Sequence, residues 1–149
     1  MTSAVPWGHS IVLSALVSAA TAQMGKFGLD AVSRRKARLE RLIGAGGMPS
    51  AHAAMVVALM TGVEAADGWR STAFAMAAVL ALIVMYDAMS LRRTVGRQSR
   101  YLNQVRRLNS PTLTDAAEFP EFVGHNLWEV LVGGAWGGMV ALMLGAGRP

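Results

Sequence analysis

Four long apolar blocks constrain the fold of this chain more than any other feature. They lie at about 10–27, 49–63, 69–89 and 127–144. Hydrophobic residues make up 53% of the 149 positions and charged residues only 15%, whereas a soluble domain carries about 25% charged residues. A helix needs ~20 mostly apolar residues to cross a bilayer. The sequence therefore predicts an all-α integral membrane bundle of roughly four transmembrane helices, with residues 1–149 as a single domain.

The basic residues are distributed unevenly between the connecting segments. Twelve of the fourteen lie in two segments, one between blocks one and two and the other between blocks three and four; Arg70 and Arg148 lie elsewhere. Cytoplasmic loops of membrane proteins carry an excess of Lys and Arg. We therefore expect both basic loops in the cytoplasm, both termini outside, and insertion in a bacterial cytoplasmic (inner) membrane.

Composition also excludes several classes of protein. The chain has no cysteine, so a disulfide framework, a thiolate nucleophile and a zinc–thiolate site are excluded. The first block lacks the upstream basic residues of a cleaved signal peptide, which predicts a retained span. The arginines of the two basic segments flank apolar blocks. The predicted partner of this positive charge is therefore the bilayer with its anionic lipid, and not nucleic acid.

The segment 46–52 reads Gly-Gly-Met-Pro-Ser-Ala-His and directly precedes an apolar helical run. Gly47 allows the backbone to turn with its N–H groups inward, and Pro49 suits the first position of a helix. Ser50 can bond an anion at the positively polarised helix start. His52 can transfer a proton near neutral pH. The segment predicts a phosphate pocket with an acid beside it; a plain helix start with an incidental histidine is the alternative.

Three polar clusters fall on the predicted cytoplasmic side, at the start of block two, the end of block three and the start of block four. Their residues are His52, Asp87, Arg92, Arg93, His125 and Glu129. Polar groups at the ends of membrane helices are often functional. His125 and Glu129 are four residues apart and share a helix face. The carboxylate can hold one imidazole nitrogen and leave the other nucleophilic.

Four basic residues are candidates for neutralising the oxygens of a phosphoryl group: Arg92, Arg93, Arg41 and Lys26. Each candidate also has a plain structural interpretation. The arginines and the lysine can anchor helix ends, Asp87 can pair with an arginine there, and His125 with Glu129 can be an ordinary helix-start pair.

The glycines of block four predict close helix packing and no chemistry; they are Gly133, Gly134, Gly137 and Gly138.

The motifs occur in a fixed order along the chain. They are Gly46 to His52, Val84 to Ala88 with Arg92, Arg93, Gly96 and Gln98, then Leu102-Asn103, then Gly124-His125 with Glu129, Val130 and Gly133. This pattern resembles the small divergent branch of the type 2 phosphatidic acid phosphatase superfamily, which also includes the vanadium-dependent haloperoxidases. The resemblance implies that His125 is the nucleophile that forms a phosphohistidine, Glu129 its orienting partner, and His52 the general acid.

The sequence departs from the superfamily pattern at two motifs. Glu118-Phe119 stands where the third motif normally has Ser-Arg ahead of its histidine, and the first motif, a lysine followed by Arg-Pro, is absent. The resemblance implies that Arg92-Arg93, with Lys26 and Arg41, replace those groups in binding phosphate, supported by Asp87 and Gly47. The usual six-helix core is also reduced, so either a trimmed bundle or a homodimer is expected.

The function implied by the resemblance is hydrolysis of a lipid phosphate monoester at the cytoplasmic face, by a phosphatase without a metal or other cofactor. Asp87 and Glu129 leave a metal-dependent variant open. The expected substrates are phosphatidylglycerophosphate first, phosphatidic acid second and isoprenoid phosphates third. The alternative is a non-catalytic membrane scaffold or small transporter that binds anionic lipid. The absent arginine motifs favour this alternative, and the retained histidines oppose it.

Overall fold

The computed structural model describes residues 7–34, 47–109, 118–119 and 124–147. Five helices form this part of the chain, and it contains no strand. They are α1 (Trp7–Arg34), α2 (Ala51–Asp67), α3 (Thr72–Met89), α4 (Leu91–Asn109) and α5 (Leu127–Met143). The predicted all-α class is confirmed. Helices α1, α2, α3 and α5 lie at the four apolar blocks, and α4 lies in the second basic segment.

Side-chain caps explain where three of the helices begin. The Ser50 hydroxyl accepts from the Ala53 N–H at 3.4 Å and starts α2. The Ser71 hydroxyl accepts from the Phe74 N–H at 3.1 Å and starts α3. Asn126 caps α5 in the same way. Each cap satisfies a backbone donor that has no partner inside its own helix.

Helix α2 lies at the centre of the bundle and packs against α1, α3 and α5. Its C-terminal half meets the start of α1, where Gly62 lies against Ile11, so α1 and α2 are antiparallel. Its N-terminus meets the start of α5, where Gly133 contacts Ser50, so α2 and α5 are parallel. Because these two helices are parallel, their N-termini lie at the same end of the bundle.

The interior is made of small residues, and the large apolar side chains face outward. The buried hydrophobic residues of the described chain are alanines, two valines and one isoleucine. Leu82 and Met143 are 64% and 79% exposed. Soluble cores bury such side chains, whereas helices in a bilayer associate through small residues and turn large ones toward lipid. The packing is therefore that of a membrane bundle.

Two helical stretches are long and apolar enough to cross a membrane, by length and composition. They are Gly8–Leu29 in α1 and Thr72–Leu108, which contains α3 and most of α4. Helix α5 is apolar but shorter. The predicted four spans are thus supported at two helices, and spanning by α2 and α5 remains a prediction, as does the orientation of the termini.

The second basic segment differs from the loop that the sequence analysis expected. Residues Leu91–Asn109 form helix α4, separated from α3 only by Ser90. No glycine–proline pair interrupts this stretch, and apolar residues recur along it at helical spacing. The helix ends at Asn109, directly before the predicted break at Ser110-Pro111. The high arginine content of this segment had indicated a loop, but the segment forms a regular helix.

Candidate active site

His125 and Glu129 are in direct contact at the start of α5. The imidazole Nδ1 lies 3.1 Å from Glu129 Oε2, and the His125 side chain is 3% exposed. A carboxylate only accepts hydrogen bonds, so Nδ1 carries the hydrogen and Nε2 keeps a lone pair. The contact therefore fixes both the tautomer and the orientation of the ring, as a nucleophilic histidine requires.

The same carboxylate also closes the N-terminus of α5. Glu129 Oε2 accepts from the Asn126 N–H at 3.0 Å, and the Glu129 N–H donates to Asn126 Oδ1 at 2.9 Å. This reciprocal pair is a capping box. Glu129 therefore serves at once as part of the helix cap and as the partner of His125. Sequence reasoning missed Asn126, although Asn-x-x-Glu before an apolar run is a visible capping pattern.

The backbone of His125 is held by the junction of α3 and α4. The His125 N–H donates to the Ala88 carbonyl at 2.9 Å. Gly124 has a φ of +99°, and a Cβ there would lie 2.7 Å from the backbone nitrogen of Arg93. Glycine is required both for this backbone conformation and for the close approach. The nucleophile candidate is therefore anchored before its helix begins.

The start of α2 is fixed directly against α5. The Ser50 N–H donates to the Glu129 carbonyl at 3.0 Å, and a Cβ on Gly133 would overlap the Ser50 backbone. Ser50 is fully buried, and its hydroxyl serves as the N-cap of α2; its predicted contact with phosphate stays a prediction. The N–H groups of Ala51 and His52 open the helix and have no intrahelical acceptor, which makes them anion donors.

The glycines of block four pack as the sequence analysis expected. Gly133 and Gly137 lie against the backbone of Ser50 and Ala54, and Gly134 and Gly138 lie against side chains of α2. Two helix N-termini with partial positive charge thereby reach the same place. Close packing by glycine is what brings them together.

His52 lies at this meeting point, and its imidazole is half-buried. The charges of Arg92, His125, Lys26 and Asp87 all act on it electrostatically. The structure thus brings together the two histidines, which are far apart in sequence. Along the chain, α3, α4 and the segment before α5 separate the helix that carries His52 from His125.

Lys26 reaches the site from the C-terminal half of α1. It is 6% exposed, and its Cδ would lie 3.2 Å from a Cβ on Gly47, which has a φ of +84°. Gly47 therefore leaves room for the lysine stem. The lysine charge acts on both His52 and His125. A buried cation beside two helix N-termini is well suited to an anionic ligand.

The predicted arginines separate into three cases. Arg92 acts electrostatically on both imidazoles, and its Nε lies 3.6 Å from Asp87 Oδ2. Arg93 is exposed, and it is not among the described charges that act on either imidazole. Arg41 lies outside the described residues. Among the described residues, Arg92 and Lys26 are the cations whose charges act on both histidines.

Burial lowers the pKa of the His125 imidazole below its ordinary value. The hydrogen bond and the charge of Glu129 raise this pKa, while Lys26 and Arg92 lower it, and the net direction is downward. The neutral ring is thus favoured near neutral pH, and the neutral form of an imidazole is the nucleophilic one. The charge of Glu129 would stabilise the cation that forms after attack.

Asn103 in α4 also supports the site. The sequence analysis did not assign it a role. Its Nδ2 donates to the Phe119 carbonyl at 2.9 Å, and its Oδ1 accepts from the Phe119 N–H at 3.0 Å. The side chain is 1% exposed. It holds the backbone six residues before His125. No sequence pattern indicates this contact, because the partner lies sixteen positions away.

In the described chain, no group of three or more His, Asp or Glu side chains could hold a metal ion.

A comparison with protein families matches residues 7–140 to the family described as "Divergent PAP2 family". The chain is also 34% identical over 145 residues to the uncharacterized membrane protein YuiD of Bacillus subtilis (strain 168), with 89% of this chain and 92% of that protein covered. No solved structure matches it. The resemblance seen in the motifs is confirmed: the chain belongs to the divergent PAP2 family.

Proposed function

We propose that this membrane protein is a lipid phosphatase that hydrolyses a phosphate monoester through a phosphohistidine intermediate. The observation that carries the proposal is the His125 imidazole, buried and oriented by Glu129 at 3.1 Å, within electrostatic range of His52. Membership of the divergent PAP2 family supports the same chemistry.

The proposed site would hold a phosphate between cations and helix N-termini. Lys26 and Arg92 face the anion, and the first N–H groups of α2 donate to its oxygens. Arg92 would exchange its 3.6 Å pairing with Asp87 for the substrate. Phosphoryl transfer depends mainly on such positioning and charge neutralisation. These groups would take the place of the superfamily's missing arginine motifs.

The reaction then proceeds in two displacements. His125 Nε2 attacks phosphorus, the bond to the ester oxygen breaks, and His52 donates a proton to the departing lipid alcohol. Water next attacks the phosphohistidine and gives its proton to His52. The phosphorus–nitrogen bond breaks, orthophosphate leaves, and both histidines return to their starting forms. The proposed cycle uses no metal or other cofactor. Glu129 balances the imidazolium charge throughout.

Phosphate release by the purified protein tests this proposal. A panel of phosphatidylglycerophosphate, phosphatidic acid and isoprenoid phosphates, with and without chelator, identifies the substrate class and any need for metal. We expect His125→Ala to lose on the order of 10³-fold or more in kcat. His9→Ala is the control, because His9 is exposed near the start of α1, at the far end of the bundle. Equal activity in both variants would contradict the proposal.

The proposed substrate side is the cytoplasmic leaflet, because the basic segments flank the site. The chain has no cysteine, so single cysteines report topology without a background. We expect a cysteine at Asp67, at the opposite end of α2, to react with an impermeant reagent outside intact cells. A cysteine at Ser110 should react only after permeabilisation. The reverse pattern would place the site at the outer leaflet.

A non-catalytic scaffold or transporter that binds anionic lipid is the second candidate. The observation in its favour is that Ser-Arg is missing ahead of His125 and that the first superfamily motif, a lysine followed by Arg-Pro, is missing from its place before Gly46. A scaffold would release no phosphate from any lipid of the panel, whether or not His125 is present. Lipid phosphate would still bind, and the His125→Ala variant would bind it as the unaltered chain does.

A further inference from the structure

Helix α4 has two exposed faces of opposite character. Its apolar face carries Leu91, Val95, Leu102 and Val105, and its basic face carries Arg93, Arg97, Arg100 and Arg107. At 100° per residue each set falls within about 80°, and the two sets lie on nearly opposite sides of the helix. Both faces are exposed; Leu91, for example, is 60% exposed. The helix is therefore strongly amphipathic.

The third face of α4 is the one already occupied. Gly96, Ser99 and Asn103 are buried, and Asn103 holds the Phe119 backbone there. Of the other described helices, α4 packs only against α3. No other described helix covers the apolar or the basic face. The segment before α5 holds this third face through Asn103, and it also contacts the end of the basic face, where Arg107 pairs with Glu118 at 2.6 Å.

Helix α4 begins where the apolar helix α3 ends. It follows α3 after a single residue, Ser90, and the 18 residues of α3 extend about 27 Å, close to the thickness of the hydrocarbon core. A helix that starts there with one apolar and one basic face matches the pattern of interfacial helices. Standing in water would leave its leucines and valines hydrated.

We propose that α4 lies in the plane of the membrane interface and binds anionic phospholipid. Its apolar face enters the acyl boundary, and its arginines contact headgroup phosphates. Helix α4 carries six arginines and no acidic residue, and basic residues near an anionic membrane surface strengthen binding to it. Nucleic acid would engage the arginines but leave the apolar face in water. This inference stands whether or not the protein is a phosphatase.

Paired single cysteines test the orientation of α4. Leu102→Cys reports the apolar face, and Gln104→Cys reports the opposite face while keeping every arginine. The full-length protein is reconstituted in vesicles of phosphatidylcholine with phosphatidylglycerol, and each cysteine carries a nitroxide. We expect the Leu102 label to collide with oxygen and to be protected from a water-soluble nickel chelate. The Gln104 label should show the reverse preference.

Several outcomes would overturn the proposal. Equal access of the nickel chelate to both labels would mean that the helix stands in water. Protection of both labels from both reagents would mean that another protein chain covers it. Protection of the Gln104 label by an added oligonucleotide, with the Leu102 label in water, would favour nucleic acid. Vesicles without phosphatidylglycerol, or high salt, should reduce the protection of the Leu102 label several-fold; an unchanged value would exclude the anionic requirement.

Discussion

The contact between α2 and α5 and the surface of α4 are built on opposite principles. Between α2 and α5, glycine and alanine allow backbone to touch backbone, as where Gly137 lies against Ala54. On α4, arginines and large apolar side chains extend away from the bundle. The first region is packed backbone to backbone, which is the kind of rigid support that precise placement of side chains requires. The second offers charge and area, as a membrane surface requires.

The largest effect is expected at the carboxylate between α2 and α5. Glu129→Gln keeps the size of the side chain but removes the charge that balances the His125 cation. We expect kcat to fall by about 10²–10⁴-fold, with KM nearly unchanged. Glu64→Gln, on an exposed residue in the last turn of α2, is the matched control. Steady-state kinetics on the best lipid substrate measures both, and equal kcat values would remove Glu129 from the mechanism.

The next effect tests whether backbone contact between α2 and α5 is essential. A Cβ on Gly133 would overlap Ser50, whereas a Cβ on Gly138 would lie 3.7 Å from Val57. We expect Gly133→Ala to lower the free energy of unfolding by about 1–3 kcal/mol and activity by roughly tenfold or more. Gly138→Ala should leave both unchanged. Thermal unfolding in detergent and phosphate release provide the comparison, and identical behaviour would show that the contact is loose.

Asn103 connects the two regions, because it lies on α4 and holds the backbone that leads to His125. Asn103→Ala leaves the Phe119 N–H and carbonyl without their partners, which costs about 1–3 kcal/mol. As a positioning residue it should lower kcat by about tenfold while KM stays the same. Gln104→Ala, its exposed neighbour, is the control. A lower melting temperature with unaltered kcat would restrict Asn103 to a structural role.

The smallest effect concerns the pH dependence of kcat/KM. Because the pKa of His125 is lowered by burial, its neutral form persists below the pH at which an ordinary histidine protonates. The acid limb should therefore lie below that range. Glu129 raises this pKa, so Glu129→Gln should move the limb further down. A limb that stays in place in this variant belongs to the substrate phosphate, and a limb above the ordinary range contradicts the burial argument.

Local patterns were enough to predict much of the bundle and the site. The apolar blocks predicted where α1, α2, α3 and α5 lie, because a helix in lipid must satisfy its own backbone. The four-residue spacing predicted that His125 and Glu129 share a face. The positions of basic residues predicted that both histidines lie at one end. Each of these inferences rests on spacing within one element or on the order of elements.

The remaining features depend on contacts between distant segments. The sequence analysis predicted a loop in place of α4 because the segment is rich in arginine, although its apolar residues recur at helical spacing. Arg92 lies on the side of α4 that carries the buried Asn103, whereas Arg93 lies on the exposed basic face. Sequence spacing alone does not show which of these faces turns toward the histidines. Gly124 and Asn103 act through backbone far from them in sequence, at Arg93 and Phe119. Tertiary geometry, and not propensity, determines these roles.

Trapping the covalent intermediate is the most direct test of the central claim that phosphate passes to His125. The reconstituted protein is mixed with a radiolabelled lipid phosphate, quenched rapidly at alkaline pH, where phosphohistidine survives, and mapped by peptide. The label should appear on the peptide that contains His125 and disappear in His125→Ala, while His9→Ala retains it. Release of labelled phosphate with no labelled peptide, or with the label on another residue, would contradict the account.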